Sequence, residues 1–396
     1  MLDTVALMLS CVEFEITDFD AFSPSARGIM QPQFCALGKH GRISCTQNPT
    51  KAELKAGTYK PRLTLITRRV TGGLSTTLRI EFSAPKLLFG NNFDELTEND
   101  FERVLDTLHR VLEGMGVMTN RDALRNAHVS AIHFGKNMAL TDYCTCSMIT
   151  SELCKTDVSG RLDLSKTDFR NEGHAIRFHA NNFELTFYDK LKDLWQSHKS
   201  EKRALERDNA IQGDLFKSGA YPKELEVLRM EVRLGNHAKI KHVLTLLGID
   251  MGTSFRTLFS ATLSQSVLLH YWQKAIPDLP LLALSRAKPE DIVQAMIADS
   301  KGQIKPAKLL QHIGGLALIG SIGIRGAKVL FERQCNPRTW ARIKKELDGL
   351  DAVANANIRY DAMRNVGKAL KDFEPLRLKH LVRTVPKSAV RKDCAS

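Results

Sequence analysis

The chain has 396 residues with a formal net charge of +13 and a pI of about 9.4, and 43% of the residues are hydrophobic. That length allows two domains with a core in each, and the excess of positive charge favours a polyanionic partner, either nucleic acid or an anionic membrane. Because no run of about 18 apolar residues occurs, no membrane span is predicted, and nucleic acid is the expected partner.

The start of the chain and the cysteines favour a reducing compartment. The apolar segment 1–12 carries Asp3 and no basic residue, which is typical of a first strand rather than of a signal peptide. The eight cysteines do not follow the common spacing of a zinc site, and a chain of this length needs no disulfide framework. We therefore expect reduced thiols and a cytoplasmic location.

The first part of the chain is predicted to contain both strands and helices. Alternating apolar and polar residues predict strands over 3–12, 62–69 and 76–84, followed by an amphipathic helix over 97–113 and a strand over 128–134. A short helix over 141–154 comes next, and then strands near 175–179 and 183–189, a charged helix over 191–209, a strand over 226–234 and a helix near 236–246.

Beyond residue 250 no strand pattern is clear. Helices are predicted over 254–275, 289–299, 305–313, 325–334, 337–348 and 354–371, with prolines near several of the helix starts. The expected fold class is therefore α+β. An N-terminal domain, residues 1–250, would hold a mainly antiparallel sheet flanked by helices, and residues 251–396 would form an all-helical domain.

Three of the predicted strands carry polar groups along one side. Successive side chains in a strand point to opposite faces, so Arg229, Glu231 and Arg233 share a face, as do Arg79 and Glu81. By the same alternation, Tyr188 and Lys190 share a face opposite Phe187 and Asp189. Such a surface suits phosphodiester chemistry, although charges outward are also typical of any solvated antiparallel sheet.

Three motifs resemble a known family. They are Ser83-Ala-Pro-Lys-Leu-Leu-Phe-Gly-Asn-Asn92, Phe187-Tyr-Asp-Lys190 and Arg229-Met-Glu-Val-Arg233. In this order and spacing they are similar to the phage and plasmid replication initiators of the II/X type, the family of the filamentous-phage gene II protein. The resemblance covers most of the chain and weakens after about residue 345.

The resemblance implies a rolling-circle replication initiator in a bacterial host. Such an enzyme nicks one strand of a double-stranded origin through a tyrosine, leaves a 5′-phosphotyrosine and a 3′-OH primer, and later rejoins the ends. The implied nucleophile is Tyr188, with Lys190 beside it. The implied metal ligands for Mg²⁺ or Mn²⁺ are Glu81 and Glu231. His133 stands where the family often has an acidic residue and is a candidate third ligand, with a core histidine as the alternative.

A phenol with a pKa of roughly 10 is a poor nucleophile while neutral, so Lys190 is expected to assist Tyr188. A divalent ion would polarise the scissile phosphate. Arginine and lysine side chains would hold flanking phosphates, with ion pairing to Glu231 as the alternative for Arg229 and Arg233. The DNA contacts predicted in this part of the chain are Arg79, Lys86, Arg229 and Arg233.

The C-terminal part contains a possible helix-turn-helix over 325–348. Arg338, Arg342 and Lys345 fall on one side of its second helix, which makes them candidate DNA contacts. A basic tail over 376–396 is expected to attract phosphates without sequence preference. The expected partners are double-stranded origin DNA, the nicked single strand, and a host helicase and polymerase.

Two other functions remain open on the sequence. A DNA-binding regulator without catalysis would explain the positive charge and the C-terminal helices, but not the polar residues gathered on the strands. A mobilisation relaxase would share the tyrosine chemistry and differ mainly in its biological setting.

Overall fold

The computed structural model describes residues 1–30, 42–56, 58–71, 73–140, 144–162, 166–170, 174–199, 226–334, 336–350 and 361–378. Its contacts divide the chain into two compact units. The first unit comprises Met1–Thr141, Asn181–Leu268 and Asp372–Ser396, and the second comprises Asp142–Ala180 and Leu269–Lys371. The units therefore interleave along the sequence, whereas the sequence predicted one boundary near residue 250.

The strands confirm an α+β chain with a large, mostly antiparallel sheet. In chain order they are β1 (Leu2–Ser10), β2 (Phe14–Ile16), β3 (Arg42–Gln47), β4 (Arg62–Val70), β5 (Gly73–Ser83), β6 (Val117–Thr119), β7 (His128–Leu140), β8 (Lys166–Arg170), β9 (Ala175–Ala180), β10 (Phe183–Asp189) and β11 (Glu226–Leu234). In the first unit, seven strands follow the order β3-β4-β5-β1-β7-β11-β10, and each neighbouring pair is antiparallel. Strand β3 was not predicted.

One side of this sheet is apolar and buried. Strands β4, β5 and β1 alternate, so that Leu63, Leu65, Leu78, Ile80 and Leu7 are fully buried on that side. The helix Phe101–Glu113 belongs to the same core, since Phe101 and Phe82 both contact the ring of Phe255, with centroids 5.3 Å and 6.0 Å away. The apolar side of this amphipathic helix is buried, as predicted, and a capping box between Thr97 and Asp100 precedes the helix.

The remaining helices of the first unit are short. Those whose bounds are described are Arg27–Met30, Lys51–Lys55, Ala84–Phe89, Arg121–Asn126, Lys190–Lys199, His237–Leu246 and Phe255–Leu258, with a 3₁₀ turn at Glu98–Asp100. The helix Ala261–Ala275 contains the division between the units. The charged helix predicted over 191–209 begins at Lys190, and its part beyond residue 199 lies outside the described residues.

A segment of the first unit that lies far along the chain, residues 373–378, packs against the N-terminal part of that unit. The backbone N–H groups of Leu376 and Leu378 donate to Glu95 and Asp94 at 2.8 and 2.7 Å. Glu95 is also paired with the buried Lys136 at 2.6 Å, and Lys136 donates to the Glu374 carbonyl at 2.6 Å. We call residues 373–378 the strap.

The second unit is mainly helical, as predicted for the C-terminal part of the chain. Its helices are Cys146–Lys155, Ser159–Leu162, Leu279–Leu284, Pro289–Asp299, Pro306–Gln334, Pro337–Asp348 and Asp361–Asp372, and β8 pairs with β9. The helices predicted over 289–299 and 337–348 are confirmed to the residue. Those predicted over 305–313 and 325–334 are instead one helix, kinked at Gly323, which has φ 76° and ψ 168°.

Glycines inside this kinked helix allow close packing. A Cβ atom at Gly315 would lie 3.1 Å from Cδ1 of Leu347, and one at Gly320 would lie 3.1 Å from the Ser285 carbonyl oxygen. The residues Pro306–Arg333 are also long and apolar enough to cross a membrane, judged by length and composition alone. A core helix of a soluble protein meets the same criterion, so this finding leaves the expected location untested.

Candidate functional site

The strand registers bring most of the predicted site residues to one face of the central sheet. Residues directly opposite each other in an antiparallel pair point to the same side. Tyr188 of β10 is opposite Arg229, Glu231 of β11 is opposite Gly135, and Arg233 is opposite His133. Across β7 and β1 the same side continues to Glu81, because Ala131 is opposite Ala6 and Ala6 is opposite Glu81. We call this side the polar face.

Tyr188 is half-buried on the polar face, next to a carboxylate. Its hydroxyl lies 3.5 Å from Oε2 of Glu231. Burial raises the pKa of Tyr188 well above its usual value, and the negative charge of Glu231 raises that pKa further. The phenol is therefore neutral at physiological pH and has to lose its proton during any attack.

Lys190 is not a strand residue, contrary to the prediction that it shares the strand face of Tyr188. Strand β10 ends at Asp189, and Lys190 begins the helix Lys190–Lys199. Its ammonium group is nevertheless close to the tyrosine, 5.8 Å from the centre of the Tyr188 ring, and donates to Oδ1 of Asn92 at 2.8 Å. Complete burial lowers the pKa of Lys190 to about 7.

Glu231 is the centre of a charged cluster. Its Oε2 is 3.0 Å from Nη2 of Arg233, and its Oε1 is 3.8 Å from Nδ1 of His133. Arg233 is also paired with Glu184 at 3.1 Å. Although burial opposes the charge, the neighbouring arginines hold the pKa of Glu231 far below its usual range, so the carboxylate is ionised. The pKa of His133 is lowered, mainly by burial, so this imidazole favours the neutral form.

Asp3 is a carboxylate of this face that sequence reasoning did not select. It is paired with Nη2 of Arg229 at 2.6 Å and accepts a hydrogen bond from the Ser83 hydroxyl at 3.0 Å. Arg229 also donates to Oδ1 of Asn137 at 2.9 Å. Asp3 and Arg229 are both buried, so Arg229 is committed to internal contacts and is not an open phosphate ligand.

The predicted metal ligands share the polar face, but they do not converge. Glu81 is half-buried and paired with Nη1 of Arg79 at 2.5 Å. Within the part of the chain that the structure describes, Glu81, Glu231 and His133 do not bring three ligand atoms within 4.8 Å of one another. Oxygen and imidazole donors are suitable types for a divalent ion, but both carboxylates already have an arginine counterion, so the residues as placed do not fit a metal site.

The other predicted DNA contacts differ in accessibility. Lys86 lies in the helix Ala84–Phe89 and is buried. Arg338, Arg342 and Lys345 are exposed on the helix Pro337–Asp348, whose opposite side buries Trp340 and Leu347. The helices Pro306–Gln334 and Pro337–Asp348 contain the two segments of the predicted helix-turn-helix, and that motif stays a prediction. Of the predicted basic tail, residues 379–396 lie outside the described residues.

Comparisons with known proteins identified no relative: no family model, no curated protein and no solved structure matches this chain. The functional assignment therefore depends on the chemistry of the polar face and on the resemblance of the motifs.

Proposed function

We propose that the chain is a rolling-circle replication initiator that cleaves one DNA strand through Tyr188 and later rejoins the ends. The observation that supports this most is the position of the Tyr188 hydroxyl, half-buried on a sheet face, with Glu231, Arg233 and Lys190 around it. A tyrosine in a merely solvated strand would not need a buried carboxylate, a half-buried arginine and a buried lysine beside it.

In this proposal each side chain near Tyr188 has a distinct task. Tyr188 attacks phosphorus, forming the Tyr–O–P bond while the P–O3′ bond breaks, and the leaving oxygen takes a proton from water to become the free 3′-OH. Lys190 is partly neutral near pH 7 and is the proposed acceptor of the phenol proton, through a bridging water or a small side-chain movement. Arg233, one-third of whose side chain is exposed, is the proposed contact to a non-bridging phosphate oxygen.

A requirement for Mg²⁺ or Mn²⁺ stays a prediction. If Glu81 and Glu231 bind the ion, Glu81→Gln and Glu231→Gln will each raise the metal concentration needed for half-maximal nicking. Unchanged metal titrations would remove both residues from that role and leave the arginines as the charge-stabilising groups.

The experiment that tests the proposed function compares cleavage with binding. Wild-type protein and Tyr188→Phe are incubated with Mg²⁺ and a supercoiled plasmid that carries the protein's own gene and flanking DNA. We expect the wild type to relax the plasmid and the variant to bind it without nicking. Persistent nicking by the variant would exclude Tyr188. The next candidates among the other five tyrosines would be Tyr271, which is buried, and Tyr143 and Tyr221, which lie outside the described residues.

One observation favours the second candidate, a DNA-binding regulator without catalysis. The exposed basic side of the helix Pro337–Asp348 is the kind of surface that a recognition helix presents to the major groove. Binding without any cleavage in Mg²⁺ and in Mn²⁺ would favour this function. A mobilisation relaxase would nick as the initiator does, and only the DNA site at which it nicks would distinguish the two.

A further inference from the structure

The polar face does not end at the cluster of Tyr188, Glu231 and His133 on β10, β11 and β7 but continues across four more strands. Glu81 of β5 is opposite Arg62 of β4, and Arg79 is opposite Thr64. Further along the same side, Ser75 of β5 is opposite Arg68, and Arg68 is opposite Arg42 of β3. Counted from β10 to β3, this side spans six strand intervals, or about 29 Å at the usual strand spacing.

This extension of the polar face, formed by β1, β5, β4 and β3, is open and basic. Its opposite side is the buried apolar side of the sheet, whereas its own side chains on β3, β4 and β5 are half-buried or exposed, apart from the buried Ser83. On this side of the described positions of these four strands, Asp3 is buried and paired with Arg229, so Glu81 is the one acidic residue that is not buried. Four arginines accompany it, namely Arg42, Arg62, Arg68 and Arg79.

Two of these arginines face each other in the register. Arg42 and Arg68 are both exposed and directly opposite, and neither makes an ion pair with any residue that the structure describes. Like charges directly opposite each other in a sheet destabilise it. A bound polyanion would offset that repulsion, so the pairing of Arg42 with Arg68 is more favourable when a polyanion is bound than in the free protein.

We propose that this extension, centred on Arg42 and Arg68, binds the backbone of duplex DNA leading to Tyr188. That the duplex leads to Tyr188 rests on the proposed function. That these arginines bind a phosphate backbone does not. The remaining polar side chains of the surface are hydroxyls, which contact phosphate oxygens together with arginine: Ser44, Thr46, Thr64 and Thr77. No aromatic side chain occurs at the described positions on this side, which argues against a platform for stacking single-stranded bases.

The test measures binding in the absence of cleavage. Arg42→Gln and Arg68→Gln are introduced together into Tyr188→Phe, and the affinity for a fluorescent duplex of about 20 base pairs is measured in EDTA at several salt concentrations. Since each phosphate contact contributes about 0.9 to the slope of log Kobs against log[salt], we expect the slope to fall by about 1.8. Arg110→Gln is the matched control, because Arg110 is exposed on the helix Phe101–Glu113 and absent from the polar face.

The thermal midpoint should be unchanged or slightly higher in the double variant, since a like-charge pair is removed, so lost binding cannot be attributed to misfolding. An unchanged salt slope for the duplex would overturn the proposal. A loss of affinity for a single-stranded oligonucleotide, with no loss of affinity for the duplex, would overturn the proposal as well. Neither result bears on whether Tyr188 is the nucleophile, which is decided by nicking alone.

Discussion

The guanidinium group of Arg229 lies against the backbone of Gly135 on the neighbouring strand. A Cβ atom at residue 135 would come 2.5 Å from Nη2 and 2.9 Å from Cζ of this arginine. Arg229 cannot easily move away, because it is buried between Asp3 and Asn137. The missing side chain of Gly135 therefore makes room for the cation that is directly opposite Tyr188.

We predict that Gly135→Ala lowers the free energy of unfolding by about 1–3 kcal/mol, the usual cost of overpacking a well-packed site. Urea denaturation measures the change. Gly252→Ala is the control, because Gly252 is exposed and a Cβ atom there would meet nothing within 4 Å. Equal stabilities for the two variants would contradict the close approach of Arg229.

We predict that Asp3→Asn is strongly destabilising, by about 3–5 kcal/mol, because it leaves Arg229 buried without its counterion. Asp20→Asn is the matched control: it removes an ion pair of similar length, 2.7 Å to Arg27, in which both side chains are largely exposed. Such a surface pair contributes little. If both substitutions had the same small effect, Asp3 would not be the partner of a buried cation.

The pH dependence of stability tests the environment of Lys190. Its folded-state pKa, about 7, is below the value of 10.5 in the unfolded chain, so the unfolded chain binds more protons between pH 7 and 10.5. The burial of Lys190 is therefore most costly below pH 7, and the cost decreases as the pH rises. The free energy of unfolding of the wild type, measured relative to that of Lys190→Met, should rise by on the order of 2 kcal/mol between pH 7 and pH 9. Parallel stability curves would show that Lys190 is not buried as described.

The strap is predicted to stabilise the first unit, separately from the tail that follows it. A chain ending after Leu378 retains the contacts to Glu95, Asp94 and Lys136, whereas a chain ending after Asp372 loses them. We expect the shorter chain alone to unfold at lower temperature, since it exposes the buried pair of Glu95 and Lys136. Equal thermal midpoints for the two truncations would contradict a stabilising strap.

Local patterns predicted the parts of the fold that depend on nearby residues. The strands 183–189 and 226–234 and the capped helix near 97–113 follow from alternation, periodicity and a capping box, all of which are readable within about 15 residues. The faces assigned to Arg229, Glu231 and Arg233 agree with the register of β11. The short strand β3 follows a segment outside the described residues and has a weaker alternation, and it was missed.

The site contacts that escaped prediction are those between residues distant in sequence. Asp3 and Arg229 are 226 positions apart, and Lys136 and Glu95 are 41 apart, so no local pattern relates them. Lys190 was placed on a strand because alternation continued past Asp189, but the chain turns into a helix there. Asp3 was visible in the sequence only as a polar residue within an apolar first strand, which in retrospect was the available signal.

In the proposed mechanism, Tyr188 becomes covalently joined to DNA. The most direct measurement is to incubate the wild-type protein with Mg²⁺ and a labelled supercoiled plasmid carrying its own gene, digest the product with a protease, and identify the peptide that retains the label. We predict a nick with a free 3′-OH and a labelled peptide that contains Tyr188. Label on a different peptide, or a nick without any covalent protein–DNA product, would contradict the proposed mechanism.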